Sequence, residues 1–514
     1  MPGIKELVVI LVLATVTFRL AKPIALQFSS ESDFCRRRNL WLVLTAAGLL
    51  SPNFWLFALL AVPLLYWGQR KDTNPVAFYL ALLQVIPPVN IDIPIVGINQ
   101  LFPLNIYRLL AVCVLVPAAL RYRRRRQPGS AAPGFGTLDV LLIGYGLLTT
   151  VLYVPPDLPN HVILPDSFTN LLRRGFLFLL DVYVIYFAVD RTCSSRGAIA
   201  DALAAYCISC ALLAPIAIFE TANSWLLYVD MAVRWTGDPG WGFYTMRGTT
   251  LRAMASTGGP ISLGFMLALA FGFWLYLGSH VKSRWTRGAV ISLYVLGMLA
   301  AYSRGPWTGA LAIYLVFAAI GPGAFRRVFK AVAVLAIAVG GLLASPLGDR
   351  MISVIPFMGG SVDSSTIRYR EHLAERSWEL IKENPFLGDQ LAMQKMEDLR
   401  QGMGIIDLVN TYANVALFYG LVGLFLFAGF ILLGLRRDHQ LAKLVAQSDP
   451  DLALLGATLV ACIVGMLVML ASSSLYWQYA IMFYVLGGLA GAYARLGAPA
   501  RTAAGSTAPG TSRE

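Results

Sequence analysis

Apolar runs close to the length of a bilayer crossing recur along most of this chain, and short basic clusters separate them. A helix needs roughly 20 apolar residues to cross the hydrocarbon core, where only segments that satisfy their own backbone hydrogen bonds persist. The pattern therefore predicts an all-α polytopic membrane protein. Composition agrees: 57% of residues are hydrophobic and 13% charged, about half the charged fraction of an ordinary soluble protein.

Basic residues at Arg121–Arg126, Arg191/Arg196, Lys282/Arg284/Arg287, Arg326/Arg327/Lys330 and Arg436/Arg437 sit in connections between apolar runs. That is the bias expected of cytoplasmic loops. The net charge of +13 thus reports topology rather than a nucleic-acid surface, since no single basic face collects it.

Spans are predicted near 75–90, 105–120, 136–154, 171–189, 198–218, 260–278, 288–303, 306–321, 330–346, 410–435, 452–473 and 475–495. Their alternation puts loops 91–104, 155–170, 219–257 and 347–409 outside and the C-terminus inside. Residues 1–74 form N-terminal membrane helices: Leu7–Phe18 reads as a first span or signal anchor. The stretch 40–67 reads as a hairpin broken at Ser51-Pro52-Asn53, with halves too short to cross, or as one kinked span. About 13–15 transmembrane helices are expected in all. The remaining organisation is a transmembrane scaffold at 75–346, a large outer loop at 347–409 and C-terminal transmembrane helices at 410–496. A tail at 497–514, rich in Gly, Ala, Ser, Thr and Pro, is expected to be disordered.

Metal chemistry finds little support. The six cysteines are scattered, and Cys207 and Cys210, although suitably spaced, lack a second pair or a nearby His. They read as small buried apolar residues, and neither a metal nor a cofactor is expected.

The outer loop is where the chain turns polar, with seven basic and ten acidic residues between 347 and 409. Ser364-Ser365-Thr366 caps a helix running to about Glu383, and Asn384-Pro385 ends it. Ile367, Ala374, Trp378 and Ile381 are expected to form its apolar face, opposite Arg368, Glu371, Glu375, Glu379 and Lys382. Most of these charges read as a solvated surface laced with weak ion pairs. Arg370 stands apart because other arginines also reach the outer side, against the usual bias: Arg304 in Tyr302–Trp307, Arg247 and Arg252 before the span at 260, and Arg173/Arg174. Guanidinium groups pair bidentately with phosphate oxygens and stay charged, so converging arginines suit a lipid-linked pyrophosphate. Asp181 and Asp201 are the few acids inside spans, too sparse for an ion path.

Three motifs between 288 and 432 carry a family likeness: Ser303-Arg304-Gly305, Arg370 followed by Glu383-Asn-Pro-Phe-Leu-Gly388, and Asn410-x9-Gly420-x2-Gly423. Leu251–Pro260 adds a weaker one. Together they resemble the O-antigen ligase / Wzy polysaccharide polymerase superfamily. The resemblance implies a GT-C-like helical fold in the bacterial inner membrane, with one large periplasmic helical loop and an active site facing the periplasm. It further implies a metal-independent, inverting glycosyltransferase. The donor would be a glycan on undecaprenyl pyrophosphate, and the acceptor either a lipid-linked repeat (polymerase) or lipid A-core or protein (ligase). Flippase and chain-length regulator proteins are the implied partners, besides membrane lipid.

Arg304 and Arg370, with Arg252 and Arg247, would hold the pyrophosphate. The family's histidine falls on Val409, which can neither accept a proton nor hydrogen-bond. Asp407, Glu371 and His372 are candidates for the vacant base role, and Asn410 for orienting a sugar while capping a helix; His161 is a weaker candidate. The missing histidine tilts the reading toward polymerase. Gly420 and Gly423 are expected to let helices pack closely. A lipid-linked glycan transporter or flippase is the rival of a different class, although no internal repeat points to one.

Overall fold

A computed structural model describes residues 3–93, 102–124, 135–152, 168–242, 245–247, 250–320, 364–400, 406, 408–475 and 477–497. Among the described residues the only strands are two-residue pairs, Ile91–Asp92 with Pro103–Leu104 and Met246–Arg247 with Thr250–Leu251. Everything else regular among them is helical, and six of the described helices are long and apolar enough to cross a membrane. These are Ile4–Ala25, Arg196–Asn223, Pro260–His280, Thr411–Leu444, Pro450–Leu470 and Tyr479–Leu496. The chain is a multi-pass helical membrane protein. The span expected at 330–346 and the tail beyond 497 lie outside the described residues.

Polar caps explain where several helices begin. Asn53 Oδ1 accepts from the Leu56 N–H at 3.0 Å, Ser195 Oγ from Ala198 at 3.1 Å, and Asp449 Oδ1 from Leu452 at 3.0 Å. Each satisfies an orphan donor of the first turn. Asn53 thereby makes the Ser51-Pro52-Asn53 break a true hairpin between Glu31–Leu50 and Phe54–Lys71. Those arms contain 20 and 18 residues, longer than expected. The first starts back at Glu31 because Ser30 caps it, its hydroxyl accepting from the Asp33 N–H at 3.2 Å.

Pro260–Leu277 lies at the centre of the bundle, packed against Arg196–Asn223, Arg284–Ala300, Arg304–Ala319 and Pro450–Leu470. Glycine permits two close approaches: a Cβ on Gly264 would lie 2.5 Å from Pro306 Cγ, and one on Gly272 2.5 Å from Cys462 Sγ. Cys207 and Cys210 are buried in this packing and donate to the carbonyls of Ala270 and Met266.

One end of the bundle is tied by ion pairs. Arg37 makes two bonds each to Asp72 and Asp201, at 2.7–3.0 Å, with all three residues buried. Arg191 meets Asp139 at 3.1 Å, and Arg196 meets Asp449 at 2.9 Å. Asp201 is therefore engaged structurally rather than left facing a path.

Three interruptions set the opposite half apart. Single π-helical turns at Ala111–Leu115 and Leu179–Tyr183 interrupt two helices, and they contact each other. The third lies inside Thr411–Leu444, where Gly420 has φ 63° and ψ −167°. Gly420 is thus a break in a span, which corrects the expectation that it serves close helix packing. At Gly423 the tight contact is with its own helix across the break, an added Cβ sitting 2.4 Å from Tyr419 Cβ, while Leu148 of the neighbouring helix would be at 3.4 Å.

Candidate active site

Glu220 ends a long apolar helix fully buried, and its carboxylate organises the loop that carries Arg252. Oε1 accepts from the Leu227 N–H at 3.0 Å, while Oε2 accepts from Met254 at 3.0 Å and Ala255 at 2.8 Å. Three backbone donors around one carboxylate hold the loop although Ala255 is left-handed, with φ 45°. The loop is then stitched to the neighbouring helix end. The Ala253 N–H donates to the Ala300 carbonyl at 3.0 Å, and Thr221 donates to the same oxygen at 3.1 Å. Arg252 Nε lies 3.4 Å from the Ala301 carbonyl.

Ala301 opens the turn into Ser303-Arg304-Gly305, which passes through a left-handed Tyr302 with φ 44°. Arg304 begins the next helix, and Trp307 braces the hairpin by donating to the Met298 carbonyl at 3.0 Å. Arg252 and Arg304, far apart in sequence, thus converge on one turn, both half-buried. Gly305 lies against Ser472 there: a Cβ on it would come 2.6 Å from Ser472 Oγ.

Ser472 leads to the next component. Thr411 Oγ donates to the Ser473 carbonyl at 2.6 Å, and Tyr412 donates to Leu467 at 2.7 Å. Asn410 is the N-cap, its Oδ1 accepting from Tyr412 at 3.0 Å and Ala413 at 3.2 Å. The arginine turn and the start of the Thr411 helix therefore meet through Ser472–Ser474. Val409, immediately before the cap, has φ 47°. That is the left-handed region, which a β-branched residue adopts only under strain.

The loop helix Ser364–Glu383 packs against the first turns of this same helix. Leu373, Leu380 and Ile381 are buried with Ala392, Met396, Leu408, Ala416 and Leu417. The buried face thus runs through Leu373, Ser377 and Leu380. Ala374 and Trp378 point away, Trp378 being 61% exposed, so the apolar face expected from Ala374 and Trp378 is corrected by about one residue step.

The turn after this helix is spliced into the break at Gly420. Leu421 and Val422 donate to the carbonyls of Pro385 and Phe386, at 2.7 and 3.2 Å. On the other side of the break, Leu417 accepts from the Asp389 N–H at 2.7 Å and Phe418 from Gln390 Nε2 at 3.0 Å. Groups that an interrupted helix would leave orphaned are satisfied by the Asn384–Gln390 segment. Gly388 and Gly420 are both required: a Cβ on Gly420 would come within 2.1 Å of Phe386 O, and one on Gly388 within 2.5 Å of Phe418 C.

The other expected residues fare differently. Arg370, Glu371 and His372 are exposed on the loop helix, and among the described residues no hydrogen bond or ion pair joins them to Arg252 or Arg304. Charges of this segment pair locally, Arg376 with Glu379 at 2.8 Å and Lys395 with Asp389 at 2.5 Å. Arg247 lies in the Met246–Arg247 strand and pairs with Thr250, but its side chain is not among those described. Asp407 and His161 lie outside the described residues. Among the described residues no three His, Cys, Asp or Glu side chains group as metal ligands. Glu220, Thr411 and Ser472–Ser474 were not anticipated. A lone acid closing an apolar span was the available signal for Glu220.

Residues 288–428 match a family model described as O-antigen ligase. No curated protein matches the chain. The match covers just over a quarter of the 514 residues and includes Ser303-Arg304-Gly305, Arg370 through Gly388, and Asn410 through Gly423. The chain therefore carries a domain of the O-antigen ligase / Wzy superfamily over that region, with Arg252 and Glu220 contributed from before it.

Proposed function

We propose that this O-antigen ligase-type domain transfers glycan from an undecaprenyl-pyrophosphate donor to a lipid-linked acceptor at the periplasmic face of the inner membrane. The observation that carries the reading is the convergence of Arg252 and Arg304 on one turn, joined through Ser472–Ser474 to the Asn410-capped helix start. In the transfer, an acceptor hydroxyl oxygen bonds to the anomeric carbon as that carbon's bond to the pyrophosphate breaks. The electron pair leaves on the pyrophosphate, where fixed guanidinium groups stabilise it without a metal. The hydroxyl proton passes to a base, for which Asp407 and Glu371 are the candidates. Arg370 reaches the departing pyrophosphate when the loop helix lies over the donor.

Polymerase is preferred to ligase because the family histidine falls on Val409 by resemblance, and ligases carry that histidine more regularly. A transporter is less well supported, since buried Asp201 is bound on both oxygens by Arg37. The test is glycan analysis of cells carrying Arg304→Ala, Arg252→Ala, Arg370→Ala or Asp407→Asn, with membrane abundance measured alongside. The expected result is loss of polymer and accumulation of single lipid-linked repeats. Accumulation of long lipid-linked chains would select the ligase reading, and unchanged polymer in every variant would remove this site.

A further inference from the structure

Thr411 and Ser474 also line a cavity of about 460 Å³ that neither Arg252 nor Arg304 lines. Its size falls among small-molecule sites, roughly 300–1,000 Å³. Both π-helical turns contribute to its wall through Ala111 and Leu180–Val182, and the half-helix before Gly420 supplies Asn414 and Tyr419. Such π turns recur at functional sites because they redirect side chains that a regular helix would aim elsewhere. Here they frame an ion pair. Arg108 Nε and Nη2 bond to the Asp181 carboxylate at 3.0 and 2.6 Å, and Arg108 also donates to the Pro103 carbonyl. The Arg108 side chain is 12% exposed and that of Asp181 34%, so the acid keeps acceptor capacity toward the cavity. Buried Tyr107 Oη lacks a hydrogen-bond partner among the described residues, and it too belongs to the lining. The Asn414 side chain adds an amide to the same wall.

An acid, an amide and phenols suit a ligand rich in hydroxyls. The Arg108–Asp181 pair leaves the lining without net positive charge to hold a diphosphate, which belongs instead at the neighbouring arginine turn. Tyrosine rings add flat apolar faces for the C–H side of a pyranose. We propose that this cavity holds a sugar ring of the glycan, with Asp181 accepting hydrogen bonds from its hydroxyls and Arg108 fixing the carboxylate. The identity of the ligand rests on the glycan-transfer reading; the polar cavity itself does not.

Binding to the purified full-length protein in lipid nanodiscs tests the proposal with two probes. One is the host's repeat oligosaccharide, released from its lipid carrier by mild acid; the other is undecaprenyl pyrophosphate without sugar. Asp181→Asn is expected to weaken oligosaccharide binding about tenfold or more, the size of a lost charge-assisted hydrogen bond, and to leave undecaprenyl pyrophosphate binding unchanged. The double variant Arg108→Gln/Asp181→Asn leaves no lone buried charge and is expected to show the same selective loss. Oligosaccharide affinity equal to wild type in either variant overturns the proposal, as does a wild type that does not bind the oligosaccharide. Equal loss of both probes also overturns it, making the pair purely structural. Selective loss in a protein whose wild type fails to extend lipid-linked repeats sustains the glycan site and removes the transferase reading.

Discussion

Val409 shows how a single residue can carry a record of its site. Its position, directly before the Asn410 cap, is where the family resemblance would place a histidine, and its φ of 47° is a conformation that histidine or asparagine accepts more readily than valine. Left-handed geometry costs a β-branched residue about 1–2 kcal/mol. Val409→Asn and Val409→His are accordingly expected to stabilise the protein by about 1 kcal/mol, read as a higher midpoint of thermal unfolding in detergent. Val409→Ile, equally branched, should give no gain. An unchanged midpoint for both polar variants would show that surrounding contacts, rather than side-chain preference, govern this turn. The departure at 409 was legible in the sequence; its strain was not, because φ depends on how Thr411 and Asn410 anchor the helix start.

At the scale of elements, the motifs Asn384-Pro-Phe-Leu-Gly388 and Gly420 turn out to be two halves of one joint. A helix interrupted within a membrane protein must find partners for its freed N–H and C=O groups, and the loop turn supplies both kinds. Each half was visible in the sequence, but their pairing was not. It depends on backbone carbonyls that every residue possesses, and so leaves no side-chain signal beyond the two glycines. The face of the loop helix was misread for a related reason. The spacing of Ile367, Ala374, Trp378 and Ile381 puts Trp378 on the apolar face, whereas Ser377 occupies the buried face by bonding the Leu373 carbonyl at 2.6 Å. Gly420→Ala is expected to cost at least about 3 kcal/mol, since its φ/ψ region is almost exclusive to glycine and its Cβ would strike Phe386 O. The loop segment 364–400 should then become cleavable by protease under native conditions. Gly429→Ala, whose Cβ would meet Leu141 at an ordinary 3.8 Å, is the control and should remain resistant. Equal resistance of the two variants would mean that the joint does not hold the loop.

For the whole molecule, the pattern of apolar runs and caps was enough to anticipate most of the helices, because each span must satisfy its own hydrogen bonds and so is written locally. What required three dimensions was the sorting of charges between the two ends. Arg37, Asp72, Asp139, Asp201 and Arg191 are buried in ion pairs at one end, while Arg252 and Arg304 stand at the turn on the other. The glycan-transfer reading needs that second end to face the periplasm, where a flipped lipid-linked donor resides. Charge bias gives the direction, since Arg196, Arg284, Arg287, Arg436 and Arg437 crowd the connections at the first end. Introduced cysteines report the orientation directly. The native cysteines are largely buried, five of six fully so, which keeps their background labelling low. Gln394→Cys, beside the exposed Lys395, should react with a membrane-impermeant maleimide in intact spheroplasts. Ser448→Cys, in the connection before Pro450, should react only after the membrane is opened. The reverse pattern would place the arginine turn in the cytoplasm, beyond reach of a periplasmic donor, and the proposed transfer would have to be abandoned along with the assignment of Arg252 and Arg304 to pyrophosphate binding.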